Sequence, residues 1–285
     1  MIGAGALSLN QATVRHADLE TALQVAVEAG IGAVGLWREP VHEMGLERAA
    51  QAVTRSGLRV SSLCRGGFVT AADEPARTVA LDDNRRAIEE TAVLAAAGAE
   101  GSAAVLVLVP GGLPEGDRDL GGARERVAAA VAELAPDADA AGVTLAVEPM
   151  NPIYAADRGV ISTLGQALDI AEAVPGVGVV VDTFHVWWDP ELAAQVERAG
   201  NSGRIAAFQV CDWITPLPPD TLLARGMMGD GHIDFRSIAN LVEAAGYRGD
   251  VEVEIFNQQV WDADPAEVAR RTARAFVEHV GGARG

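Results

Sequence analysis

Cysteine is nearly missing from this chain: Cys64 and Cys211 are the only two in 285 residues. Two cysteines cannot build a disulfide scaffold, and their scarcity fits a reducing compartment. Basic residues are also few, 22 against 40 acidic, for a formal charge of −18. Such a chain has no cationic excess with which to neutralise phosphates, which argues against a nucleic-acid partner. No apolar run approaches the roughly 18 residues needed to cross a bilayer. The opening MIGAGALSLNQ lacks a charged segment followed by a long apolar one, so no signal peptide and a cytoplasmic protein are expected. Glycine/serine-rich linkers and breaks in composition are absent too, which predicts one domain over 1–285. What is present in quantity is apolar material, 49% of the residues, enough for a large core.

That material is arranged in a regular alternation. Strand candidates are Ala6–Asn10, Ala33–Trp37, Arg59–Cys64, Ala103–Val109, Thr144–Glu148, Gly178–Asp182, Ile205–Val210 and Asp250–Phe256. Between them lie Ala-rich helix candidates near 17–29, 43–56, 82–98, 121–141, 163–174, 190–200, 235–245 and 265–280. Each unit averages about 36 residues, long enough for a strand, a crossover helix and their loops, so the strands must run parallel. Gly30, Gly57, Gly98, Gly142 and Gly246 stand where helices should end, and Asp18 and Asp189-Pro190-Glu191 where two should begin. The longest irregular stretches are 110–120 and 212–234. Eight units without a reversal point favour a (β/α)8 TIM barrel over an open doubly wound sheet.

A barrel of this kind builds its active site at the C-terminal ends of the strands. The last four candidate strands carry Glu148, Asp182, Gln209 and Glu254 there, with His185 one short loop beyond Asp182. A single acid at a strand end is ordinarily a helix cap or a surface ion pair. Four oxygen-bearing residues on consecutive strands line one arc of the mouth. Converging carboxylates repel, and a divalent cation is the simplest compensation. Three carboxylates and an amide oxygen form a hard donor set, better suited to Mn²⁺ or Mg²⁺ than to structural Zn²⁺, with Co²⁺ also open.

The segments VEP, VVDTFH and GYRGDVEVEIF resemble the xylose-isomerase-like TIM-barrel superfamily, and the similarity covers nearly the whole chain. The resemblance implies that Glu148, Asp182, Gln209 and Glu254 bind one divalent cation, Mn²⁺ ahead of the others. It also implies that Glu148 and Glu254 are the catalytic acid/base pair and that His185 contacts a substrate oxygen. Many relatives have histidine where this chain has Gln209, which resembles the hydroxypyruvate-isomerase variant. The nuclease branch would need further histidines on the third, fourth and seventh strands. SSLCRGGF, VLVLVPGG and FQVCDW supply none, so Asp230 and His232 do not make a nuclease centre. The expected activity is therefore that of a metal-dependent isomerase or epimerase of a sugar or small hydroxy-carbonyl compound, working through a metal-stabilised enediolate. The same ligands would serve an inosose-dehydratase-like lyase, and a non-catalytic sugar-binding barrel or a subunit of a heteromeric enzyme is the reading outside enzymes.

Specificity must come from the loops. Arg65, before two glycines, and Arg225, in LLARGMMGDG, are candidates for gripping an anion. Trp37 and the Trp187-Trp188 pair offer aromatic lining, Asn10 and Gln11 polar lining, and Asp212 and His232 complete the candidate substrate contacts. Glu252 faces the same way as Glu254, one layer deeper, either against an internal arginine or on a bulge. Cys211 reads as a buried structural thiol. The superfamily's habit of forming homo-oligomers leaves that state open here.

Overall fold

Runs such as VLVLV and VGVVVD are apolar at every position because their strands are covered on both faces, by helices outside and by packed side chains within. In the computed structural model, which describes residues 2–281, eight such strands close into a parallel barrel. They are β1 (Leu7–Asn10), β2 (Ala33–Trp37), β3 (Arg59–Gly67), β4 (Val105–Val109), β5 (Thr144–Val147), β6 (Val177–Asp182), β7 (Ile205–Val210) and β8 (Val251–Val253). Neighbours in sequence are neighbours in the sheet, and β8 closes on β1 with Leu7 opposite Val251. The expected (β/α)8 architecture is the observed one.

The outer layer holds α1 (Leu19–Glu28), α2 (Arg38–Met44), α3 (Leu46–Ser56), α4 (Glu74–Ala97), α5 (Leu120–Ala141), α6 (Leu164–Ala173), α7 (Thr183–Val186), α8 (Leu192–Asn201), α9 (Phe235–Ala244), α10 (Gln258–Trp261) and α11 (Pro265–His279). α9 shows the pattern that docks them: Phe235, Ile238, Ala239 and Val242 are buried at helical spacing. Part of the acid excess starts helices. Asp18, Asp73, Asp119, Asp234 and Asp264 each accept a backbone N–H from the first turn.

Three local expectations change. α4 begins eight residues earlier than predicted, where Asp73 caps it and Pro75 occupies its first turn. Asp189 does not cap α8; its Oδ1 accepts the N–H of Glu191 in the turn ahead of that helix. Gly30, Gly57, Gly142 and Gly246 have positive φ as expected, but Gly98 sits at φ −74°. The space at Gly98 is needed for another reason, since a Cβ there would lie 2.3 Å from Ser102 Oγ.

Within the barrel, Cys64, Val105, Val107, Ala146, Val180 and Ala207 form one apolar cluster. The interior beside β8 and β1 is polar instead, and this asymmetry positions the site.

Candidate active site

Strand periodicity sets the site. Side chains two apart share a face, so the inward positions above Ala146, Val180 and Ala207 are Glu148, Asp182 and Gln209. On β8 the inward residue is Glu252, and Glu254 follows just past its end. Register aligns them: Asp182 lies opposite Gln209, and Gln209 opposite Glu252. All are buried, Asp182 and His185 completely.

The lower carboxylate is fully provided for. Glu252 accepts hydrogen bonds from Asn10 Nδ2 (2.6 Å), Gln209 Nε2 (2.8 Å), Ser61 Oγ (2.6 Å) and Ser62 Oγ (2.8 Å). Two consecutive serines reach one carboxylate because the β2–β3 register skips Ser61, a bulge that turns both hydroxyls the same way. β8 itself has no bulge, and among the described residues no arginine meets Glu252, so neither expected explanation of that residue holds. Gly35 is part of the same provision: a Cβ there would lie 2.4 Å from Glu252 Cδ.

The upper carboxylates are not so provided. Arg225 Nη1 donates to Glu254 Oε2 (2.7 Å) and Asp182 Oδ2 (3.2 Å), and its guanidinium lies between the rings of Phe184 and Phe256. Asp182 Oδ1 accepts the N–H of Phe184. Glu254 Oε1 and Gln209 Oε1 are buried with no hydrogen-bond partner. Burial first, then the charges of Glu254 and Asp182, push the Glu148 carboxyl well above its usual range. Burial likewise raises Glu254, to about 7, and Asp182, against the pull of Arg225. With all three ionised, the carboxylates against one guanidinium would be short of two positive charges. Glu148, Asp182 and His185 also each bring one donor atom to within 4.8 Å of the others. Two bare buried oxygens and a deficit of two are what a divalent cation would satisfy, so the residues present fit such an ion.

His185 is set apart from the oxygen donors by its two partners. Its Nδ1 lies 3.1 Å from the backbone N of Asn151 and its Nε2 lies 3.1 Å from Nη2 of Arg225, so a hydrogen-bond donor faces each ring nitrogen. Burial, then Arg225, holds this imidazole well below its usual pKa, which keeps it neutral. Nε2 lies 3.6 Å from Asp182 Oδ2 and 3.9 Å from Glu148 Oε1, beyond ordinary hydrogen-bond reach. Nε2 is engaged by Arg225 instead, and the ring links that guanidinium to the loop after β5.

Above these groups a cavity of about 160 Å³ is lined by Trp37, Cys64, Arg65, Glu148, Arg225 and Glu254, among others. Trp37 and Arg65 thus lie where the sequence reading put them. Arg225 is deeper than expected, among the carboxylates. Asp212 and His232 do not reach the cavity. Asp212 spends its carboxylate on backbone N–H groups of Trp213, Gly229, Gly231 and Ile233, tying down the long loop after β7. His232 is bonded to Thr215 on the exposed side of that loop. Asn10 is taken by Glu252 and by Trp37 Nε1, Gln11 lines a separate hollow, and Trp187 packs on Trp213. Burial raises the thiols of both Cys64 and Cys211, so neither is an activated nucleophile. Arg15, Arg158, Phe68 and Phe256 also line the cavity and were not singled out from sequence; for Arg158 the signal was its place in the loop after β5. The chain contains no lysine, which leaves no side-chain amine to act as a base.

Residues 23–279 match the xylose isomerase-like TIM barrel family. Protein SMc04130 from Sinorhizobium meliloti 1021 shares 45% identity and superposes with a TM-score of 0.93, over 98% of this chain and 100% of that one. The IolI protein, solved with a zinc atom, shares the fold at 20% identity, with a TM-score of 0.81 over 96% of this chain and 97% of its own. L-ribulose 3-epimerase of Mesorhizobium japonicum is 28% identical over 151 residues, which is 52% of this chain and 45% of that enzyme. The match thus spans less than half of the epimerase.

Proposed function

The chain belongs to the xylose isomerase-like TIM barrel family, and from that premise we propose that it is a divalent-metal-dependent isomerase or epimerase of a sugar or small hydroxy-carbonyl compound. The observation that carries this reading is the charge deficit of two beneath the cavity, together with the bare oxygens of Gln209 and Glu254. The partial match to an L-ribulose 3-epimerase supports the substrate class. Glu148, Asp182, Gln209 and Glu254 would hold the cation, which when bound supplies Lewis-acid polarisation of the substrate's carbonyl and hydroxyl oxygens.

The rest falls to the chain's own side chains. Glu148 and Glu254 rise from strands separated by β6 and β7, and both line the cavity. One carboxylate accepts the proton from the carbon beside the carbonyl. The other returns a proton to the opposite face of that carbon, giving the epimer, or to the neighbouring carbon, giving the isomer. No atom is gained or lost. His185 would meet a substrate oxygen beside Asp182 and Glu148, its ring held by Arg225 at Nε2.

The test is deuterium exchange. In D₂O with Mn²⁺, Mg²⁺ or Co²⁺ and a panel of ketoses, the protein should place deuterium on the carbon beside the carbonyl without changing the formula. Glu148→Gln and Glu254→Gln should each slow exchange by about 10²–10⁴-fold. Full exchange in either variant removes that residue from proton transfer. A product lighter by one water identifies the dehydratase, and no exchange with any ion or ketose overturns the reading.

A further inference from the structure

Most described arginines of this acid-rich chain pair with a carboxylate, and Arg124, Arg204, Arg236 and Arg248 bond backbone carbonyls instead. Arg38, Arg59 and Arg198 show the common state, each paired with one or two acids. Among the described residues Arg65 has neither ion pair nor hydrogen bond. It lies over the Phe68 ring, 4.4 Å from the centroid. Arg15 likewise contacts only rings, 5.4 Å from that of Trp261 and 6.0 Å from that of Phe256. Arg158 meets only its sequence neighbour Asp157, at 3.5 Å, and its Nε is buried with no hydrogen-bond partner.

These arginines come from three different segments, after β1, near the end of β3 and after β5, yet all line the cavity that Glu148 and Glu254 also line. The cavity is therefore polarised. Carboxylates gather past the ends of β5 and β8, and uncommitted guanidiniums stand around them. Besides Glu148 and Glu254, the only acid among the lining residues is Glu39 on α2, which is exposed. A guanidinium held against an aromatic ring keeps its N–H edge free and partly desolvated, and that edge matches the oxygens of a carboxylate or phosphate.

We propose that the substrate carries an anionic group, a carboxylate or a phosphate, on the end of its carbon chain remote from the reacting carbons, and that Arg65 and Arg158, with Arg15 at the rim, grip it. This rests on the isomerase or epimerase reading, in that the hydroxy-carbonyl end points toward Glu148 and Glu254. A neutral ketose would leave the guanidiniums as idle as they are without ligand.

The experiment compares three five-carbon probes that cannot be turned over: ribitol, ribonate and ribitol 5-phosphate. Each is titrated calorimetrically into the Mn²⁺-supplied protein at low ionic strength. At least one anionic probe should bind ten-fold or more tightly than ribitol, and which one wins identifies the anion. Arg65→Met and Arg158→Met should bring the ratio of anionic to neutral affinity toward one, which separates an arginine grip from chelation by the cation. Equal binding of the three probes in the wild type, no binding of any at millimolar concentration, or a preference intact in both variants overturns the proposal. Deuterium exchange on neutral ketoses without an anion preference would defeat this inference alone. An anion preference without exchange on any substrate would defeat the isomerase reading alone.

Discussion

Glu252 on β8 and Glu254 just past its end stand two residues apart, face the same way, and are 2% and 3% exposed. Their surroundings differ in kind. Glu252 receives four hydrogen bonds from uncharged donors, with space cleared by Gly35 and a bulge recruited at Ser61. Glu254 shares one guanidinium with Asp182 and keeps a bare oxygen. A buried acid that the protein completes by itself is scaffold. One left incomplete beside two others spends stability on something that must arrive from outside.

The sharpest way to break this contrast is Glu252→Ala. It strands four donors at once and should cost about 3–5 kcal/mol in urea unfolding; a loss below about 1 kcal/mol would show that the lower layer is not a completed network. Glu148→Gln should act in the opposite sense. Removing one mutually repelling carboxylate should stabilise the metal-free protein by about 1 kcal/mol, or roughly 2–4 °C in Tm. Mn²⁺ at 100 times its Kd should stabilise the wild type by about 2.7 kcal/mol, and the variant by clearly less. Equal Mn²⁺ shifts in the two proteins would detach Glu148 from the cation.

The smallest effect is expected at the surface. Hydrogen bonding to Arg38 holds the half-exposed Asp83 below the usual carboxylate range. A depressed pKa contributes stability above the unfolded value and loses it as pH falls through the folded one. Asp83→Asn should therefore cost no more than about 1 kcal/mol at pH 7, with the difference from wild type closing as pH falls below about 4. A difference that persists under acid would mean that the pair acts through packing.

Much of the site was legible because strand ends obey a period of two. Glu148, Asp182, Gln209 and Glu254 could be read as inward-facing from their spacing alone, and His185 from its distance to Asp182. Loop residues follow no such period. Asp212, two residues beyond β7, reads from sequence as a substrate contact, whereas its carboxylate holds four backbone amides. Arg225, 15 residues past the end of β7, gave no sign in the sequence that it would fold back between Phe184 and Phe256 onto two carboxylates. The early start of α4 was hidden because its first turns are polar and exposed, which weakens the apolar rhythm that marks a helix.

By itself, then, the order of residues determined the eight-fold alternation, the parallel barrel and the ring of oxygen-bearing side chains at one end, because each depends on local periodicity and short connections. Which carboxylates are satisfied, what faces each nitrogen of His185, and which arginines are free were decided only by the tertiary structure. Those properties are balances among groups up to 242 positions apart in sequence, as between Asn10 and Glu252, and a balance exists only once all its members are in place.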